Sequence, residues 1–125
     1  MNWRDMKIVT LASAKIRRPF YELIRAGVKR YEVRTAPLSN VDAFVFRDDH
    51  SGEVLDILRI EEAFPVERDD DQLALRLSGI GAGDFRELFP RPEDGGPERL
   101  WVAKLGERVS FDELMRGSDE HFEAR

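Results

Sequence analysis

Apolar residues recur along this chain with two periods, one near 3.6 and one of 2. Ile8-Val9-Thr10-Leu11-Ala12 is apolar on both faces, so residues 7–12 are expected to form a central strand. A helix is expected over residues 19–26, with Pro19 in the first turn, where a missing N–H costs nothing. Phe20, Leu23 and Ile24 fall on one stripe of that helix, and Gly27 follows where a left-handed residue would stop it. Period-2 patterning predicts strands over residues 30–35, 42–47 and 53–63, the last two joined by the turn Asp48-Asp49-His50-Ser51-Gly52. Val54, Ile57 and Ile60 are its expected core residues, and Phe64-Pro65 suggests that it ends near a sheet edge.

Residues 71–77 alternate Leu73, Leu75 and Leu77 like a strand, yet the opening Asp69-Asp70-Asp71 favours a helix start, and helix is the expectation. A short helix capped by Asp84 should carry Phe85, Leu88 and Phe89 and stop at Pro90, before a loop over residues 91–97. Residues 99–105 form the last expected strand, with Trp101, Ala103 and Leu105 on one face. Ser110 and Glu113 make a capping-box pattern for a terminal helix ended by Gly117. Residues 1–117 therefore read as a single α+β domain and 118–125 as a frayed polar tail. Trp3 is expected to pack onto the domain from its terminus.

Composition narrows the chemistry. A chain of 125 residues is one domain long. With no Cys there is no disulfide, thiol nucleophile or Cys-based zinc site. His50 and His121 stand apart, in a turn and a charged tail, so no metal site is expected. The apolar runs are far short of a membrane span and the first residues lack a signal-peptide pattern; a cytoplasmic location without membrane partners is the expectation. The net charge of −5 is unevenly spread. Residues 1–47 carry ten Lys/Arg against four Asp/Glu, whereas the remainder is strongly acidic, so a polyanion could meet one basic face at best. Lys15, Arg17, Arg18, Arg25, Lys29, Arg30 and Arg34 put seven cations within twenty residues, against Glu22 and Glu32. They either border one cleft that contacts phosphate or decorate a solvated surface.

The informative stretch is Gly27-Val28-Lys29-Arg30-Tyr31-Glu32-Val33-Arg34. Along a strand Arg30, Glu32 and Arg34 share one face and Tyr31 and Val33 the other, with Lys29 at the helix-to-strand corner. A carboxylate among these cations could grip a polar ligand, polarise a water, or pin the corner in an ion-pair network. The stretch resembles the G-x-K-x-x-E-x-R signature of the ASCH domain family, a branch of the PUA-like barrels. The preceding strand, small polar turn and Pro19-Phe20 helix start resemble the family as well.

That resemblance implies a small β-barrel of about five or six strands with helices packed at the openings, and a cleft lined by Lys29, Glu32 and Arg34. It implies a partner that is RNA or a modified nucleotide, with Lys15, Arg17, Arg18, Lys29, Arg30 and Arg34 as nucleic-acid-binding candidates and no cofactor. Some members are enzymes: one branch hydrolyses an acylated cytidine and another cleaves RNA. On that alternative Lys29 and Glu32 are the catalytic candidates of a small hydrolase, with Glu61, Glu62 or Asp84 as a possible second acid. A domain for protein interaction with a vestigial cleft is the third reading. The amidohydrolase branch has Thr at the position of Glu32, and a lysine beside a carboxylate is expected to stay protonated, which suits neither a base nor a nucleophile.

Overall fold

A computed structural model describes residues 8–115. Trp3, Gly117, His121 and the 118–125 tail lie outside the described residues. Strand β1 (Leu11–Ile16) leads into helix α1 (Arg18–Arg25), which has Pro19 in its first turn and Arg25 in its last. Gly27 has φ +77° and ends the helix as expected, with Val28 N–H returning to Leu23 O at 2.9 Å. Strand β2 (Tyr31–Arg34), the hairpin β3 (Ala43–Asp48) and β4 (Val54–Glu67), helices α2 (Asp71–Ser78) and α3 (Ala82–Leu88), and strand β5 (Arg99–Arg108) follow. A terminal helix occupies residues 111–115, where Ser110 Oγ accepts the Glu113 N–H at 3.0 Å.

The five strands form one curled, half-barrel sheet in the order β1-β3-β4-β5-β2. β1 and β3 are parallel and the other neighbours antiparallel. β1 is therefore an edge strand, not a central one, and starts four residues later than its apolar run suggests. Ala14 and Ile16 point into the core while Lys15 points out, so its true pattern is alternation. β4 runs through Pro65 instead of ending before it. It pairs with β3 as far as Arg59 and with β5 from Leu58 onward, with register shifts near Ile60. By Pro65 only the β5 side is paired, so one flank can accommodate the missing N–H. The shifts also reset its alternation: Val54 is exposed, and Leu58 and Val66 are buried.

Both sheet faces are covered. One face holds Ala14, Ile16, Phe44, Phe46, Leu58 and Ala103, closed by Tyr21 and Ile24 of α1. The opposite face carries Val33, Val66, Leu100 and Val102 beneath Ala74 of α2 and Phe85 of α3. Tyr21, rather than Phe20 or Leu23, joins Ile24 as a buried residue of α1. Asp84 lies within the first turn of α3, and Gly81, not Asp84, occupies the N-cap.

Candidate functional site

The two edge strands of the curled sheet meet at a seam. Arg34 on β2 reaches across it and donates from Nη2 to the Lys15 carbonyl of β1 at 2.8 Å. Edge strands present unpaired backbone groups, and here one guanidinium bridges the gap. Glu32 and Arg34 pair with Ala103 and Trp101 of β5 and so share the face that α1 covers, whereas Tyr31 and Val33 pack into the opposite core.

Glu32 is 6% exposed and stands between two cations. Its Oε2 accepts from Arg34 Nε at 2.9 Å and Nη2 at 2.6 Å, and its Oε1 lies 3.2 Å from Lys29 Nζ. Lys29 is 4% exposed. Its ammonium also donates to Tyr31 O at 2.6 Å and to Ser78 O at 2.5 Å. Ser78 is the last residue of α2, so the cation sits where that helix leaves carbonyls unpaired and its dipole is negative. Gly79, at φ +72°, lets the chain turn away against the Lys29 stem. Burial pushes the Lys29 ammonium below the usual lysine range; the Glu32 carboxylate opposes this and offsets only part of it. The expectation of a lysine held charged by its carboxylate thus captured the smaller effect. Three acceptors stand around Nζ, one for each proton an ammonium can donate.

A cavity of about 370 Å³ opens beside this cluster. Lys15, Arg17, Lys29, Glu32 and Arg34 line it, together with Thr35, Asp49 and the apolar side chains of Ile16, Phe20, Ile80, Leu88 and Phe89. Lys15 forms no ion pair among the described residues. Arg17 lies over the Phe20 ring, 5.7 Å from its centroid, and pairs with Glu87 at 3.2 Å and Asp84 at 3.8 Å on α3.

The structure therefore brings four of the six cationic candidates, Lys15, Arg17, Lys29 and Arg34, to one cavity. Arg18 instead pairs with Asp48 at 3.1 Å, and Arg30 reaches toward Gly27 O over a different groove. Glu61 pairs with Lys104 at 3.3 Å beside that groove, Glu62 is exposed, and Asp84 lies 3.8 Å from Arg17 without lining the cavity. Nothing in the local pattern marks Asp49, Ile80, Leu88 or Phe89 as lining residues, because they come from the β3–β4 turn, the α2–α3 turn and the end of α3 and meet only in the folded chain. Among the described residues no group of His, Asp and Glu could hold a metal ion, and no helix is long and apolar enough to cross a membrane.

No family model matches the chain, and no curated protein matches it by sequence. Solved structures do match its fold. An ASCH protein from Zymomonas mobilis aligns over 86% of this chain and 78% of its own, with TM-score 0.59 at 16% identity. A single-residue variant of it gives 0.60 at 14% identity over the same shares of the two chains. Hypothetical protein PH0355 aligns over 80% of this chain and all of its own, with TM-score 0.56 at 13% identity. The chain thus has the ASCH-type, PUA-like fold.

Proposed function

We propose that this chain is a binding module for single-stranded RNA or a modified nucleotide, held in the cavity at the β1–β2 seam. One observation carries the reading: Lys15, Arg17 and Arg34 converge on a cavity whose other wall is apolar and partly aromatic. Cations there would meet phosphate, and the apolar wall that includes Phe20 and Phe89 would pack against a base. Lys29 and Glu32 serve this site from behind. Their polar atoms are taken up by Tyr31, Ser78, Arg34 and each other, so they set the position of the Arg34 guanidinium. Arg34 Nη1 has no partner among the described residues and is free for a ligand.

The test is fluorescence anisotropy with a short labelled single-stranded RNA at low salt. Micromolar binding that weakens steeply with salt is expected. The double variant Lys15→Ala/Arg17→Ala should bind less tightly, with its log–log salt slope smaller by about one to two. Absence of binding at low salt, or an unchanged slope, overturns the reading. The hydrolase alternative draws support from a buried lysine of lowered pKa touching a carboxylate at a cavity wall. It is the weaker reading because the Lys29 protons are committed to backbone and carboxylate acceptors.

A further inference from the structure

The cavity contains two acidic residues with opposite circumstances. Glu32 is buried and engaged with Lys29 and Arg34. Asp49 is exposed, and its carboxylate has no hydrogen bond or ion pair among the described residues, although Lys15, Arg17 and Arg34 line the same cavity. Its backbone is nevertheless fixed: Asp49 N–H donates to Ile16 O at 3.0 Å, at the end of β1. The neighbouring Lys15 carbonyl is the one Arg34 grips from the other side of the strand. An unpaired carboxylate and a held guanidinium therefore flank the end of one strand.

A purely phosphate-binding surface gains nothing from an acid at this point, since the negative charge weakens every contact its cations make. The acid becomes useful when the ligand presents hydrogen-bond donors. A carboxylate offers two acceptors and no donor. Guanine is the standard base with two adjacent donors, N1–H and the N2 amino group, on its Watson–Crick edge. Cytosine and adenine set a ring-nitrogen acceptor beside their amino group, and uracil flanks its one N–H with carbonyl oxygens; each of these would repel one carboxylate oxygen.

Building on the RNA-binding reading, we propose that Asp49 makes this cavity select guanine. Its carboxylate accepts from N1–H and the N2 amino group of a base lying on the apolar wall. Arg34 and Lys15 hold the attached phosphate.

The experiment compares labelled octauridylate with the versions that carry a single central G, A or C, using the full chain and its Asp49→Asn variant. The wild type should bind the G-containing RNA about tenfold more tightly than octauridylate, the discrimination expected of a bidentate base contact. Asp49→Asn should remove most of that difference. Asp49 is exposed, so unchanged melting of the variant is expected. Equal affinities of the wild type for all four RNAs overturn guanine selection and leave the RNA-binding reading standing. So does an Asp49→Asn variant that tightens all four alike and keeps any preference for G. Failure of every RNA to bind the wild type overturns the RNA-binding reading itself.

Discussion

Lys29 shows how one side chain can serve packing and site together. It ties the α1–β2 corner to the last carbonyl of α2 and to Glu32. Lys29→Met keeps most of the volume but leaves two buried carbonyls short of a donor and Glu32 with Arg34 alone. A loss of about 3–5 kcal/mol is expected, the usual result of removing one partner of a buried pair, measured by urea denaturation. Glu32→Gln separates binding from catalysis. The binding account expects no RNA cleavage or nucleoside deacylation by the wild type. Turnover that falls by roughly 100-fold in a folded Glu32→Gln variant with unchanged RNA affinity would establish the hydrolase instead. Asp48 provides a pH test. The backbone N–H groups of Ser51 and His50, and then Arg18, hold its carboxyl below the usual aspartate range. A depressed folded-state pKa contributes stability that is full above the unfolded value, near about 4, and is lost as pH falls through the folded value. Asp48→Asn should therefore flatten the acid side of the stability–pH curve; an unchanged curve would contradict the role given to the turn.

At the scale of elements, the signals that read correctly are those whose physics is local. Pro19 and Gly27 bracket α1, Gly52 at φ +77° closes the β3–β4 turn, and the acidic opening of α2 outweighs its strand-like leucines. The misreadings share a cause: they depend on partners far away in sequence. Residues 8–12 look more strand-like than 13–16, yet Ile8 is exposed and Ala14-Lys15-Ile16 alternates against the parallel partner β3. β4 exchanges neighbours midway, so no single period describes it. Two glycines give contrasting tests. Around Gly27 a Cβ meets nothing within 4 Å, so Gly27→Ala should cost only the left-handed backbone strain, about 1 kcal/mol. At Gly96 a Cβ would fall 1.7 Å from Pro90 O, within the loop that Arg68 holds through Phe89, Pro90 and Pro97 carbonyls. Gly96→Ala must displace backbone and should lower the melting temperature well beyond Gly27→Ala; equal losses would contradict this packing.

For the whole molecule, the charge asymmetry acquires a location. The basic first third supplies Lys15, Arg17 and Arg34 to the cavity, while acidic residues of α3 hold Arg17 at its rim. Glu32, Arg34 and Lys29 were legible as a cluster because they lie within six residues of one another. Their common cavity with Lys15 and Asp49 was not, because it exists only once β1 and β2, opposite ends of the sheet, curl into one seam. RNA bound as proposed sits at this seam. Amide chemical-shift mapping of the labelled chain with a short single-stranded RNA tests it most directly. The largest shifts are expected at Ile16, Arg17, Arg34, Thr35, Asp49 and Ile80, while β4 residues beside Arg59 stay still. Shifts centred instead on the groove beside Arg30 and Lys104, or none at a low-salt RNA excess, would contradict it.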